Sequence, residues 1–426
     1  MSREPLVTFL RQSGGLTGAI FLAGLASYAV HIFAKEMPKA DYGVFTTLLQ
    51  VLNLVGIPVL GLQAALAQQT SAAQTEADRR QLAATLRAVL RWTFVGWAAV
   101  TGVALLFQNQ LLAALKITSP GPLWITLSCV LMALWLPIFS GVLQGRQNFL
   151  RLGGSILSLG VVRLTSIAVI VGFGAQVAGA MVGVWLGYFA ALLIAWWGTR
   201  VATDNNPPDR FLWQPWLKHW VPIKFGAGTA IFLMCADMVF VQYYFDDREQ
   251  TGLYAAAGMI GRALVFLVSP IVMVMFPKVA RAAATGEKSG VLFQTLGLTA
   301  LIAGSAAGFC TLFPELSLSP VYDKSFLPIA PLVPWFAWAM MPLALAGVLN
   351  SHLLARKRYA VVPWLVLVAA GYGVALNEVA KRSGTMEPLA GFTRVVQTLG
   401  VFNLLFFAVA LFFSWRDREQ AASKEI

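Results

Sequence analysis

Asp237 and Arg262 are the residues whose types and places in this chain most directly invite chemistry. Asp237 stands inside the apolar run 219–244 and Arg262 inside the run 251–276, with the polar turn Asp246-Asp247-Arg248-Glu249 between them. An ionised side chain within an apolar membrane-crossing helix costs about 2.5–3.5 kcal/mol, so it faces a partner or a watery cavity. A carboxylate so placed can bind and release a proton or Na⁺, gate a cavity, or offset a cation. A guanidinium can offset that carboxylate or grip phosphate oxygens with its planar fork of donors. Counted from the outer turn, Asp237 lies about eight and Arg262 about eleven residues deep, a difference of about 4–5 Å at 1.5 Å per residue, so an ion pair is feasible. Arg163 is a third charge of this kind, about midway along a run built mainly of Leu, Val, Ile, Ser and Gly. Two roles fit it: a phosphate ligand, or a structural arginine hydrogen-bonded to carbonyls of a neighbouring helix.

Weaker candidates surround these three. Lys224, near the start of the run carrying Asp237, can meet an incoming anion or snorkel to the interface. His31 sits near the outer end of the first run, as a titratable group or as an interfacial anchor. Gln50, Asn53 and Gln63 recur at offsets of 3 and 10, consistent with one helical face that lines a polar cavity or bonds to the next helix. The 14 tryptophans, among them Trp213, Trp216, Trp220 and Trp415, read as interfacial anchors. Cys129, Cys235 and Cys310 each lie in apolar sequence without CxxC or Cys/His spacing, so neither a metal site nor a disulfide framework is expected. No phosphate-cradling Gly-Lys-Ser/Thr loop and no paired carboxylates in soluble segments are present, so no cofactor and no catalytic residue is assigned and a non-enzyme is expected.

The elements that must position these residues are membrane helices. Hydrophobic residues make up 58% of the 426 and charged residues 12%, against about 25% charged in soluble domains; the mean hydropathy is +0.71. About twelve apolar runs follow one another: 14–34, 43–66, 88–108, 121–144, 152–174, 176–198, 219–244, 251–276, 291–313, 326–350, 359–376 and 392–414. They are continuously apolar over about twenty residues, which predicts spanning α-helices rather than alternating barrel strands. The first is read as a span, not a signal peptide, because no small-residue cleavage site follows it. The net charge of +12 matters through its placement, and nucleic acid is not an expected partner. With Arg3 and Arg11 on the cytoplasmic side, 21 basic residues fall on that side and 8 on the other, leaving Arg163 and Arg262 inside helices. This bias predicts a multi-pass membrane protein with both termini cytoplasmic.

An internal repeat organises the runs. Thr17-Gly18-Ala19-Ile20-Phe21-Leu22 followed by Tyr42-Gly43-Val44-Phe45 is answered by Gly228-Thr229-Ala230-Ile231-Phe232-Leu233 followed by Thr251-Gly252-Leu253-Tyr254. Gly141-Val142-Leu143-Gln144 before Arg146 is answered by Gly347-Val348-Leu349-Asn350 before Arg356. The expected organisation is an all-α polytopic protein of two parallel six-helix lobes, 1–200 and 216–426, joined by a cytoplasmic linker, 201–215.

The central stretch, with Asp237 in one helix, the polar turn, Thr251-Gly252-Leu253-Tyr254-Ala255-Ala256-Ala257, Gly261-Arg262 and Phe276-Pro277-Lys278, resembles the seventh and eighth helices of polysaccharide (Wzx-like) flippases. These belong to the multidrug/oligosaccharidyl-lipid/polysaccharide (MOP) exporter superfamily. Gly141 to Phe149, Val162-Arg163-Leu164, Gly172-Phe173-Gly174 with Gly179-Ala180, Asp41 to Phe45, and Leu353 to Arg358 extend the likeness over most of the chain. The compact second half and the polar loop 377–388 depart from the pattern. The resemblance implies a two-lobed transporter that moves a polyprenyl-pyrophosphate-linked oligosaccharide outward by alternating access, in polysaccharide or exopolysaccharide assembly. It implies membrane lipids and a polymerase or glycosyltransferases as partners. Arg163, Arg262 and Lys224 would then meet the headgroup, Asp237 would couple an ion or gate, and Gln50, Asn53 and His31 would line the cavity. Two other classes compete. A cation-coupled multidrug (MATE-type) antiporter would need Asp237 to act alone, since the apolar cores of the first six spans contain no acidic residue. A polytopic glycan ligase or polymerase would need a large outer loop, whereas the longest expected here is roughly 12–16 residues.

Overall fold

The computed structural model describes residues 3–59, 61–73, 75–199, 213–285, 291–356 and 358–422. Among them all regular structure is helical: α1 (Arg3–Ala34), α2 (Lys39–Val55), α3 (Leu62–Ala72), α4 (Glu76–Leu106), α5 (Gln108–Ala114), α6 (Gly121–Gly145), α7 (Phe149–Gly172), α8 (Val177–Thr199), α9 (Trp213–Tyr244), α10 (Arg248–Thr285), α11 (Val291–Leu312), α12 (Pro314–Leu318), α13 (Val333–Ala355), α14 (Val362–Ser383) and α15 (Pro388–Ala422). Each apolar run of the sequence is mostly helical, and among the described residues ten helical stretches are long and apolar enough to cross a membrane. The chain is a multi-pass membrane protein. Most of the linker 201–215, Arg200 and Lys357 lie outside the described residues, as do the side chains of Trp213, Trp216, Trp220 and Lys278.

Local chemistry fixes the helix ends. Thr75 opens α4 with a reciprocal cap: its Oγ1 accepts from the Asp78 amide at 3.2 Å while Asp78 Oδ2 accepts from the Thr75 amide at 3.0 Å, which satisfies two otherwise orphaned donors. Asn148 Oδ1 accepts from the Arg151 amide at the start of α7, just after Gln147 turns the chain with φ +57°. The second apolar run is not one helix. It breaks after Gly56 into a 3₁₀ turn, Ile57–Val59, and resumes as α3 beyond Gly61, whose φ of +82° suits a residue without a Cβ. Pro58 lacks an amide donor and helps end α2.

The helices gather into two compact units. The first comprises Met1–Met37 and Pro58–Val221. In it α7 packs between α1 and α8, and α6 packs against α8, α3 and α4; Phe139, Leu143, Leu152 and Ala195 knit α6, α7 and α8 into one core. The second unit comprises Pro38–Ile57 and Pro222–Ile426. Here α13 is central, touching α10, α11 and α15, with α14 on α15 and α2 on α10.

Helix α2 therefore packs with the second half of the chain, whereas the sequence division 1–200, 201–215 and 216–426 groups it with the first. The physical reason is backbone contact. A Cβ on Gly43 would stand 3.0 Å from the amide nitrogen of Gly252, and one on Gly252 would overlap the Lys39 carbonyl. The two glycines are equivalents in the internal repeat, and their missing side chains let α2 and α10 approach. Tyr42 Oη lies 2.6 Å from Tyr322 Oη, and the Lys39 ammonium sits 5.8 Å from the Phe326 ring centroid. We expect Gly252→Leu to cost about 1–3 kcal/mol through overpacking. Gly102→Ala, at a site where an added Cβ meets nothing within 4 Å, should change stability by less than about 0.5 kcal/mol. Thermal unfolding of the purified protein in detergent compares them; equal effects would contradict the packing of α2 on α10.

Candidate functional site

In the second unit the charges of the central stretch are joined. Arg262 Nη2 donates to both Asp237 carboxylate oxygens at 2.7 Å, and its Nε donates to the Met234 carbonyl at 2.8 Å. Tyr254 Oη donates to Asp237 Oδ2 at 2.7 Å. The two charged side chains are 2% and 0% exposed. Phe336 of α13 lies beneath the guanidinium, 5.7 Å from its carbon to the ring centroid, and packs edge-on against Tyr254 with Phe392 on another side. The feasible ion pair is thus a direct one, walled by aromatic rings, and Arg262 spends its donors on Asp237 and on backbone. Tyr254 was missed as a partner by sequence reasoning. Its spacing was the available signal: it precedes Arg262 by eight residues, about two helical turns, so both can reach one acceptor on α9.

The amide pair of α2 stands beside this network. Asn53 Nδ2 donates to Gln50 Oε1 at 3.2 Å, and Asn53 shares a side-chain hydrogen bond with the Cys235 thiol of α9. Gln50 is buried and Asn53 exposed. Gln63 does not continue their face. The break at Pro58 and Gly61 carries it into the first unit, where its Nε2 donates to Gln144 Oε1 at 3.0 Å. Lys224 lies on α9 with its ammonium 5.1 Å from the Phe225 ring centroid.

Arg163 in the first unit is held differently. Its Nη2 donates to the Ser27 carbonyl of α1 at 3.4 Å, and its Nε has no hydrogen-bond partner. Tyr188 and Cys129 are the titratable groups that act on it, and neither is a carboxylate. Two glycines bring the neighbouring helices against it. A Cβ on Gly160 would stand 2.7 Å from the Ala23 carbonyl oxygen of α1, and one on Gly187 of α8 would stand 2.8 Å from the Arg163 Cβ; small residues at such points let helix backbones close on one another. The side chain remains partly accessible. His31, about one turn along α1 from Ser27, is buried and lies edge-on to Tyr28 at 6.2 Å. Among the described residues no group of three or more His, Cys, Asp or Glu is placed to hold a metal ion.

No protein-family model matches the sequence, and comparison with curated proteins gives no match. Solved structures do resemble the chain in fold. It superposes on an inward-facing multidrug resistance MATE family transporter of the MOP superfamily with a TM-score of 0.72 at 13% identity, covering 95% of this chain and 96% of that one. The lipid II flippase MurJ in an inward closed conformation gives a TM-score of 0.68 at 13% identity, over 96% of this chain and 91% of that one. A MOP superfamily transporter from Pyrococcus furiosus gives 0.61 at 14% identity, over 98% and 96%. The chain has the fold of the MOP-superfamily transporters.

Within this transporter fold the buried pair makes a specific energetic demand. Removing one member of a fully buried ion pair strands the other charge, at about 3–5 kcal/mol. We expect Asp237→Asn and Arg262→Gln each to lower the unfolding midpoint strongly, and the double variant to recover part of the loss. Tyr254→Phe should cost about 1–2 kcal/mol, because Asp237 loses one donor but keeps Arg262. A double variant no more stable than the worse single would contradict the pairing.

Proposed function

We propose that this protein is a flippase for a polyprenyl-pyrophosphate-linked oligosaccharide, working by alternating access in bacterial cell-surface polysaccharide assembly. The fold is common to the MATE drug transporters and the lipid II flippase it resembles, so the choice rests on charge. One observation carries it. The carboxylate in the apolar core of the second unit is neutralised by Arg262 and capped by Tyr254, while Arg163 in the first unit has no carboxylate acting on it and an unused Nε. The uncompensated charge is a guanidinium, which suits a diphosphate. A cation-coupled antiporter needs a carboxylate free to take up Na⁺ or H⁺ in each cycle, and Asp237 in this geometry would first have to release Arg262.

In this reading Arg163 of the first unit grips the pyrophosphate. The polyprenyl tail stays in the bilayer. The Asp237–Arg262 pair holds α9 to α10 rather than binding substrate. The protein acts without a cofactor or covalent chemistry, both termini lie in the cytoplasm of a bacterial inner membrane, and glycosyltransferases supply the substrate that a polymerase then consumes.

The test is flipping of a fluorescent polyprenyl-pyrophosphate oligosaccharide in proteoliposomes. Arg163→Ala should reduce the rate at least tenfold while the protein still folds, and Arg163→Lys should recover part of it, since lysine keeps the charge without the fork. The double change Asp237→Asn with Arg262→Gln should retain measurable flipping. Full transport by Arg163→Ala, or Na⁺- or proton-driven drug export that Asp237→Asn alone abolishes without loss of fold, would refute the proposal.

A further inference from the structure

We propose that the α13–α14 turn and the end of α15 form a binding site for the phosphate of an anionic membrane phospholipid. This site is independent of the transport reading. Asp417 of α15 is almost fully buried, its side chain 4% exposed, and it holds two guanidiniums at once: Arg356 Nη1 at 2.7 Å from Oδ2 and Arg358 Nε at 2.5 Å from Oδ1. Both arginines are tied by their backbone to the end of α13, the Arg356 amide donating to the His352 carbonyl and the Arg358 amide to the Leu353 carbonyl.

One carboxylate needs one cation, so a second arginine leaves the cluster with a surplus of one positive charge. The partial negative end of α13, about half a charge, reduces that surplus without cancelling it. Arg358 spends its Nε on Asp417 and keeps both terminal nitrogens, the fork that binds phosphate oxygens in pairs. The two side chains are 27% and 45% exposed, so the carboxylate anchors them from within while they stay open to an anion.

Depth and neighbours identify the source of that anion. The apolar run 392–414 is 23 residues long, about 35 Å of helix, enough to cross a hydrocarbon core of roughly 30 Å, and Asp417 stands about one turn beyond its end. Asp417 therefore lies at the level of lipid phosphates. Trp415, two residues before it in α15, and Trp364, in the first turn of α14 six residues after Arg358, are 57% and 55% exposed, as aromatic residues are at a bilayer interface. Basic clusters at this level are suited to anionic headgroups, and a lipid acyl chain has apolar surface to lie against.

The experiment uses the full chain purified in neutral detergent, with the unfolding midpoint measured after adding phosphatidylglycerol, phosphatidylcholine or sodium phosphate. Phosphatidylglycerol should raise the midpoint of the wild type by several degrees, and the other two should not. Arg358→Gln should lose at least half of that rise. Arg416→Gln, which removes the same charge from an exposed neighbour, should keep it. Native mass spectrometry should show one fewer retained phosphatidylglycerol for Arg358→Gln alone. Equal rises in the two variants, or an equal rise with phosphatidylcholine, would overturn the site; reproduction of the rise by sodium phosphate would overturn the lipid as its ligand. Should Arg358→Gln fail to fold, Arg358→Lys replaces it, and an undiminished rise in that variant would overturn the phosphate fork.

Discussion

A charge inside a membrane helix must be compensated, and the architecture around each of the three interior charges follows from how that is done. Asp237 and Arg262 compensate each other at 2.7 Å with almost no exposure. Such a pair recovers its desolvation cost only when the remaining donors and acceptors are also satisfied. Here the Met234 carbonyl and the Tyr254 hydroxyl complete the set. The network ties α9 to α10, and Phe336 of α13 closes one side of it. Its net charge is zero, so it makes no demand on a ligand.

Arg163 meets the same constraint with no carboxylate acting on it among the described residues. Its held contact is a carbonyl of α1 at 3.4 Å; Gly187 brings α8 against its stem, and Gly160, about one turn away, brings α1 against α7. That packing confines the base of the side chain and leaves its charge unspent. A preorganised cation of this kind is the arrangement expected of an anion ligand, because less rotamer entropy remains to be lost on binding. The contrast between the two units is the basis of the functional proposal. Overall fold does not provide it, since a multidrug resistance transporter and a lipid II flippase both superpose on this chain.

The membrane class, the twelve runs and the ion pair were legible in the sequence because each rests on a local or periodic signal. Continuous apolarity over twenty residues marks a span whatever surrounds it, and the depths of Asp237 and Arg262 could be counted from their common turn. What escaped depends on contacts between distant residues. The placement of α2 with the second unit turns on Gly43 meeting Gly252, which no window of sequence displays, although the repeat had already aligned the two. The break at Gly56, Pro58 and Gly61 lay within a run apolar enough to pass for one helix, and it separated Gln63 from Gln50 and Asn53. The clamp of Arg356 and Arg358 on Asp417 joins residues about sixty positions apart, and basic residues at a helix end read first as topology signals.

The central claim is that the uncompensated interior charge is Arg163 and that the ligand is therefore an anion. Equilibrium binding to the wild-type protein in nanodiscs tests it most directly, with a fluorescent polyprenyl-pyrophosphate disaccharide and a lipophilic cationic dye as alternative ligands. The account predicts saturable binding of the pyrophosphate lipid, lost in Arg163→Gln and insensitive to Na⁺, with no saturable binding of the dye. Saturable binding of the cation, displaced by Na⁺ and unaffected at Arg163, would contradict it.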